Sequence, residues 1–130
     1  MKRSALIVIA VVIVIAGAGR AFAHHSFTAA YESGKRVEIE GVVKEFVWRN
    51  PHSFVQLEGP EKQGGSSVRW AVEWAGGLQL NRQGVTRETL KAGDHVIISG
   101  NPGRNAADHR LRMRSISRPS DGWKWSGTFE

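Results

Sequence analysis

The 130-residue chain contains no cysteine. Disulfide bonds, structural zinc sites with thiolate ligands and soft Cu(I) thiolate sites are therefore excluded. Acidic side chains are also in deficit, because 12 Asp plus Glu face 18 Lys plus Arg and the formal net charge is +6. Such an excess ordinarily favours nucleic acid or an anionic membrane surface as a partner. The location of the basic residues along the chain decides whether that expectation holds.

Sequence motifs of common enzymes are missing as well. The chain has no Gly-x-Ser-x-Gly elbow, no glycine-rich phosphate loop ending in Lys and Ser or Thr, and no His-Glu-x-x-His helix. These absences leave hydrolytic chemistry with little support. We therefore expect a protein that binds a ligand rather than an enzyme that turns one over.

The N-terminus has the pattern of a secretory signal peptide. Lys2 and Arg3 precede an apolar run over residues 5–18, and residues 21–23 (Ala-Phe-Ala) place small side chains before a cleavage site. A membrane anchor is the alternative, but a spanning helix needs about 20 apolar residues. This run is shorter and is closed by Arg20. We predict that residues 1–23 are a signal peptide removed after export.

Removal of the signal peptide changes what the net charge indicates about the partners of the protein. Cleavage would remove three of the 18 basic side chains and none of the 12 acidic ones, which halves the net charge to +3. An exported product seldom meets nucleic acid, and the absence of cysteine excludes a lipid-modified cysteine anchor. We expect a soluble periplasmic protein with no nucleic-acid partner and no stable membrane anchor after processing.

The processed chain is mainly β in pattern, because apolar and polar residues alternate with period two and turn signals separate the runs. A change of phase near Gly41 indicates a bulge in the first strand. A short helix is plausible only within residues 78–90. The predicted strands cover residues 37–48, 53–58, 68–74, 95–99 and 110–117.

This order of elements is typical of one small OB-fold barrel of five to six strands. Three meandering strands are followed by a short helix and two further strands, and the first strand is long and bulged. A small β-sandwich is the alternative. We predict an extended segment over residues 24–36, the barrel over 37–118, and a tail over 119–130 that forms a last strand or an ordered flap.

The predicted processed chain carries five short motifs, which are His24-His25-Ser26-Phe27 with Tyr31, Gly41-Val42-Val43, Trp48-Arg49-Asn50-Pro51-His52, Trp70-Ala71-Val72-Glu73 and Leu90-Lys91-Ala92-Gly93-Asp94. With these motifs the chain resembles a family of small exported bacterial proteins of unassigned function. That resemblance implies a periplasmic location and an OB-like barrel, and it brings no established activity.

The sharpest chemical feature is the histidine that cleavage would place first. The free α-amine and the imidazole Nδ1 of His24 can chelate one metal ion, and His25 or His52 could supply a further imidazole. Nitrogen-rich tetragonal ligation favours Cu(II) among divalent ions. The sequence therefore predicts a Cu(II) or other divalent metal site, with an ordinary structural role for these histidines as the alternative.

Strand order predicts how the parts of this site could meet. In a three-strand meander, the turn after the first strand and the end of the third strand lie at one end of the sheet, which places His52 near Glu73 and Trp74. An extended segment over residues 24–36 could span about 40 Å. We therefore expect Glu73 to act as a carboxylate ligand or as an acceptor behind a ligand.

Aromatic residues suggest a second type of site. OB barrels commonly bind ligands on the face of strands two and three, where rings stack on bases or sugars. Trp48 and Arg49 at the turn, with Phe54 and Trp74, are the candidate ligand-binding residues, and Trp70 is expected in the core. The alternative function is a metal-independent interaction module for an envelope protein or an acidic glycan.

The remaining basic side chains are expected to have ordinary surface roles. Arg110, Arg112 and Arg114 share one face of the fifth strand, which we interpret as a solvated face rather than a stripe for acidic ligands. His95 and His109 are interpreted as plain surface or turn histidines.

Overall fold

The computed structural model describes residues 27–129, so the predicted signal peptide and residues His24 and His25 lie outside the described residues. A 3-10 turn covers Ala106–Asp108. Within the described range, no helix is both long enough and apolar enough to span a membrane. The main elements are β1 (Val37–Val47), β2 (His52–Pro60), β3 (Ser67–Ala75), α1 (Gly77–Arg82), β4 (His95–Pro102), β5 (Arg110–Arg118) and β6 (Trp123–Ser126).

Five of the strands close into a barrel. β1 pairs antiparallel with both β2 and β4, β2 pairs with β3, and β4 pairs with β5. A short parallel pairing between β3 and β5 closes the ring, and β6 extends the sheet along β5. This is the strand arrangement of an OB fold. The predicted fold class is confirmed, with the short helix α1 after β3 and β6 as the additional strand.

Inward-facing residues of the barrel form a single core. The alternation predicted for the third strand is seen in β3, where Trp70, Val72 and Trp74 are buried. Leu80 of α1 joins them, and the indole of Trp125 meets Trp74 at 5.0 Å between ring centroids and 72° between ring planes. Helix α1 and strand β6 therefore contribute to the same core as the barrel strands.

The helical segments differ from the prediction in two places, after β3 and before β1. Helix α1 is shorter than residues 78–90, because Gly84 takes a left-handed φ of 79° directly after it and ends the helical path. Residues 27–30 are helical, although the sequence predicted an extended segment over residues 24–36. The β6 strand resolves the alternatives left open for the tail.

Bulges also fall at other places than predicted. The first strand changes register between Val43 and Glu45, not at Gly41. Gly41 instead marks a close approach of two strands, since a Cβ atom there would meet the Glu58 carbonyl. A second register shift between Ser99 and Gly100 carries β4 on to Pro102, beyond the predicted end at residue 99.

Gly100 offers a test of this close packing between β4 and β5. A Cβ atom at this position would meet the carbonyl oxygen of Arg112 and lie 2.8 Å from the Cγ of Leu111. We expect Gly100→Ala to lower the free energy of unfolding by about 1–3 kcal/mol, the usual cost of overpacking. Denaturant unfolding of the variant and the wild type measures this difference in free energy. Gly34→Ala is the control, because a Cβ there meets nothing within 4 Å, and equal stability of the two variants would contradict the prediction.

Candidate functional site

A buried carboxylate lies on the outside of the barrel. Because side chains alternate along β3, Glu73 points away from the core that holds Val72 and Trp74. It is nevertheless only 8% exposed. Burial of a charged group is costly unless the group is paired and hydrogen-bonded. The surroundings of Glu73 therefore define the candidate site.

Both carboxylate oxygens of Glu73 have partners. Oε1 contacts the Nδ1 atom of His52, and Oε2 accepts a hydrogen bond from the hydroxyl of Tyr31. The guanidinium of Arg110 also donates to Oε2, with 3.5 Å between Nη2 and the oxygen. We refer to Tyr31, His52, Glu73 and Arg110 as the Glu73 cluster. It joins four separate parts of the chain around one negative charge.

Strand register brings His52 and Glu73 together. In the β2–β3 ladder His52 pairs with Ala75, and Phe54 pairs with Glu73. His52 and Glu73 therefore face outward as diagonal neighbours, about 7–8 Å apart at the backbone and within reach of long side chains. The meander predicted this proximity from the sequence, and the His52–Glu73 contact confirms it.

The segment before β1 is fixed over the cluster by its backbone. Tyr31 forms an isolated antiparallel bridge with Gly103, and the amide of Glu32 donates to the Pro102 carbonyl at 2.9 Å. The amide of Arg104 donates to the Ala30 carbonyl at 3.1 Å, while its Nε donates to the Thr28 carbonyl at 2.8 Å. These bonds to the β4–β5 connection hold the Tyr31 hydroxyl over Glu73.

The His52 ring is enclosed by aromatic side chains. Phe27 stacks on it with 5.2 Å between centroids and 18° between planes. Phe129 meets it edge-on at 6.0 Å and 84°. The His52 side chain retains 27% of its exposure. With Nδ1 directed at Glu73, Nε2 is the ring nitrogen left for another ligand.

Arg112 lies beneath the two phenylalanines. Its guanidinium carbon is 3.9 Å from the centroid of Phe27 and 5.1 Å from that of Phe129, and its Nη2 donates to the Phe129 carbonyl. Cations over aromatic faces are attracted by the ring quadrupole. The segments before β1 and after β6 therefore meet at a buried arginine.

The prediction that the arginines of β5 form a solvated face is wrong. Arg112 is buried, Arg110 contacts Glu73, and Nε of Arg114 donates to the Oδ1 atom of Asn101 at 2.6 Å. The physical reason is the parallel pairing of β3 with β5, which sets Glu73 opposite Arg112. The segments that cover Glu73 therefore cover this face too.

The four candidate ligand-binding residues are not equivalent. Trp74 is fully buried among core side chains and presents no ring face to solvent, so we remove it from the candidate surface. Phe54 is half-buried, with the guanidinium of Arg49 5.0 Å from its centroid. Trp48 is half-buried against Gly77, where a Cβ atom would lie 2.6 Å from the indole nitrogen. Trp48, Arg49 and Phe54 remain partly accessible.

The other described histidines pair with carboxylates at the periphery. Nε2 of His95 is 3.2 Å from Oε1 of Glu40, and Nε2 of His109 is 3.1 Å from Oε1 of Glu61. Among residues 27–129, no group of three or more His, Asp or Glu side chains is arranged to hold a metal ion. A metal site at His52 with three such ligands would need a ligand from outside this range.

Sequence reasoning missed five residues of this site. A signal existed for the arginines, because an OB barrel closes by pairing its third and fifth strands, which places the predicted fifth strand beside Glu73. The positions of Phe27 and Phe129 depend on how the segments before β1 and after β6 pack against the barrel. Period-two alternation within the strands does not predict that packing. The missed residues are Phe27, Tyr31, Arg110, Arg112 and Phe129.

The fold and the site together describe an OB-type barrel with a buried carboxylate–histidine pair on its outer face. Residues 10–112 match the family of unknown function DUF6152, and the chain belongs to this family. A comparison with curated proteins finds no match.

Among solved structures, the fold is similar to that of a mitochondrial single-stranded DNA-binding protein of S. cerevisiae, Rim1. The two chains share 15% identity with a TM-score of 0.47, over 65% of this chain and 92% of the other. This likeness concerns the fold alone.

Tyr31 provides a test of the cluster, because it is the only tyrosine in the chain. Burial, and then its hydrogen bond to Glu73, raise the pKa of the Tyr31 hydroxyl above the usual value of about 10. The folded chain thus holds this proton more tightly than the unfolded chain. The associated stability is complete below about pH 10 and is lost as pH rises further.

We expect tyrosinate absorbance of the folded protein to appear only well above pH 10, or together with unfolding. Tyr31→Phe should lower stability at neutral pH by about 1–3 kcal/mol, because a buried carboxylate oxygen loses its donor. Above pH 10 its stability should fall less steeply than that of the wild type. Titration of Tyr31 near pH 10 in the folded protein would contradict both the burial of its hydroxyl and its hydrogen bond to Glu73.

Proposed function

We propose that the protein binds a divalent metal ion, Cu(II) before others, through the amine and imidazole of His24 together with His52. His25 is the alternative source of the second imidazole. The proposal includes export to the periplasm and cleavage after Ala23, since only cleavage frees the amine. The observation that carries it is the His52 ring, which the Glu73 carboxylate holds and on which Phe27, three positions after His24, stacks.

The orientation of His52 supports a ligand role. Metal-binding histidines usually donate their second ring N–H to a carboxylate, which fixes the ring and raises its basicity. Glu73 occupies that position at Nδ1. Its other oxygen is engaged by Tyr31 and Arg110, so we assign Glu73 to holding His52 rather than to the metal itself.

The short stretch of chain between His24 and Phe27 allows His24 and His52 to bind the same metal ion. Phe27 stacks on His52 and lies only three positions after His24 along the chain. Three residues reach about 10 Å at most, which is enough to bring the His24 amine to Nε2 of His52. The chelate formed by the amine and imidazole of one residue, plus one further imidazole, gives three nitrogen ligands. Such a set favours Cu(II) in tetragonal geometry.

Electron paramagnetic resonance of protein that begins at His24 tests this function. With one equivalent of Cu(II), we expect a tetragonal spectrum with nitrogen hyperfine coupling, which disappears when a chelator removes the metal. His52→Ala should lose one nitrogen. Glu73→Gln should weaken Cu(II) affinity by about 10- to 100-fold, because His52 loses its carboxylate. His95→Ala is the matched control and should bind as the wild type does.

Chemical acetylation of the His24 amine is the sharpest comparison. It leaves all imidazoles in place but blocks the free amine, so the chelate cannot form. If this protein binds Cu(II) as tightly and with the same spectrum, or if the wild type gives no nitrogen-coupled spectrum, the proposed function is wrong.

A second candidate function is metal-independent binding of an acidic segment of an envelope protein. Leu78 is 69% exposed and borders a shallow groove of about 290 Å³ with Trp48 and Arg87. Within residues 27–129, neither Arg87 nor Arg49 has a carboxylate partner. An apolar side chain with unneutralised arginines nearby favours an acidic amphipathic partner.

A synthetic peptide of alternating Glu and Leu serves as the probe for this surface. We expect binding in the presence of a chelator, weakened by salt, and reduced by Arg87→Gln and by Leu78→Ser. Lys124→Gln is the control because it removes the same charge elsewhere. Equal binding by all variants would indicate a non-specific charge effect. Preference for polygalacturonate over the peptide would favour an acidic glycan instead.

A further inference from the structure

A cavity of about 420 Å³ opens at one end of the barrel. The starts of β1, β3 and β5 and the ends of β2 and β4 meet there, because β3 runs parallel to β5 and the other barrel pairings are antiparallel. Trp70 and Ile39 of the core line it, and we refer to it as the Trp70 cavity. Cavities of about 300–1,000 Å³ commonly hold small molecules, and the mouths of barrels are among their usual places. The size and position are therefore those of a ligand site.

The indole of Trp70 carries a hydrogen-bond donor without a partner. Trp70 is 8% exposed, and its ring nitrogen has no acceptor among the residues that the structure describes. The N–H group of a buried tryptophan usually has a partner, and a buried donor without one costs free energy. Lys35 and Glu61 line the same cavity with side chains that are more than half exposed, so they can move aside. A ligand in the cavity can therefore supply the missing acceptor.

Two charged side chains of the Trp70 cavity are left without an ion pair. Arg104 and Glu38 both line it, and neither pairs with an oppositely charged side chain within residues 27–129. The other charged side chains of the cavity are paired, Glu32 with Lys35, Glu61 with His109 and Arg110 with Glu73. The cavity thus offers one unpaired cation and one unpaired anion to a ligand.

The guanidinium of Arg104 is held ready for an anion. Its Nε donates to the Thr28 carbonyl at 2.8 Å, and its backbone amide donates to the Ala30 carbonyl at 3.1 Å. These bonds leave the two terminal nitrogens of the guanidinium available. An arginine fork binds a carboxylate through two parallel hydrogen bonds, which are stronger than those between neutral groups. A carboxylate is therefore the group that fits Arg104.

We infer that the Trp70 cavity binds a short peptide with free termini and apolar side chains. The peptide carboxylate pairs with Arg104, its ammonium pairs with Glu38, and a carbonyl of its backbone accepts from the indole of Trp70. Its apolar side chains pack against Ile39. This binding is independent of the proposed metal function, because all four of these side chains lie within residues 27–129.

The placement of the two charges favours a peptide over a single amino acid. Arg104 lies in the connection between β4 and β5, whereas Glu38 lies in β1. The charges of the ligand must therefore reach two different walls of the cavity. An extended dipeptide separates its termini by about 7 Å, whereas a free amino acid carries both charges on one carbon. A dipeptide also brings the backbone carbonyl that Trp70 requires.

Isothermal titration calorimetry with leucyl-leucine tests this site in protein that begins at His24, with a chelator present so that no metal takes part. We expect saturable binding of one peptide per chain. Arg104→Gln and Glu38→Gln should each weaken it about tenfold or more, because each removes a hydrogen bond to a charged group. Arg82→Gln and Glu88→Gln are the matched controls. Both side chains are exposed and lie outside the cavity, so these variants should bind as the wild type does.

Blocked peptides identify which end of the ligand each side chain holds. The C-terminal amide of leucyl-leucine lacks the carboxylate, so it should bind more weakly and should not weaken further in Arg104→Gln. The N-acetyl form lacks the ammonium and should be insensitive to Glu38→Gln in the same way. Damage to the fold would weaken all forms of the peptide alike, so this pattern distinguishes direct contact from lost structure.

Nuclear magnetic resonance reports on the indole of Trp70 directly, without any substitution. At saturation with leucyl-leucine, we expect the assigned indole N–H proton of Trp70 to move downfield, because it gains an acceptor. The indole protons of the other four tryptophans should shift little. An unchanged Trp70 signal at saturation would overturn the inference.

Three calorimetric results would also overturn it. The first is no binding of leucyl-leucine by the wild type, and the second is equal binding by all four variants. The third is free leucine binding as tightly as leucyl-leucine, because a single residue would then suffice. Since a chelator is present throughout, failure of Cu(II) binding leaves these measurements unaffected, and failure of peptide binding leaves the proposed metal function standing.

Discussion

The arrangement of this site depends on one buried negative charge. Glu73 faces outward from the barrel and is covered by protein, so its carboxylate must be compensated by neighbours rather than by water. Tyr31, His52 and Arg110 supply that compensation from the segment before β1, from β2 and from β5. Each partner holds its own part of the chain against the outer face of β3. The orientation of His52, on which any ligand role depends, is a consequence of the same requirement.

Closure of the barrel determines where chemistry is possible. The interior is filled by side chains such as Trp70 and Trp74, so it is a core and not a ligand cavity. The parallel pairing of β3 with β5 creates an outer face that carries one carboxylate and two arginines. The segments before β1 and after β6 cover this face through Phe27 and Phe129. The candidate site therefore lies where these two segments pack against the outer face of the barrel.

Much of the fold could be predicted from the sequence, because the period of apolar residues reports burial strand by strand. Alternation in β3 located its inward face, and the predicted meander placed His52 near Glu73. The length of α1 and the site of the bulge in β1 depended on single backbone conformations at Gly84 and between Val43 and Glu45. Alternation does not encode such details. The arginines of β5 were misassigned because their pattern is that of an exposed face, whatever later covers it.

The sequence by itself determined the strand order, the barrel, the absence of thiol chemistry and the supply of histidines, since these follow from local pattern and composition. Only the tertiary structure decided which outward side chains became buried. Burial of Glu73 and Arg112 arises from contacts between residues some 40 to 100 positions apart along the chain, such as Tyr31 with Glu73 and Phe27 with Phe129. A carboxylate and an arginine on a strand look solvated in sequence, because the segments that exclude water from them are contributed by other parts of the chain.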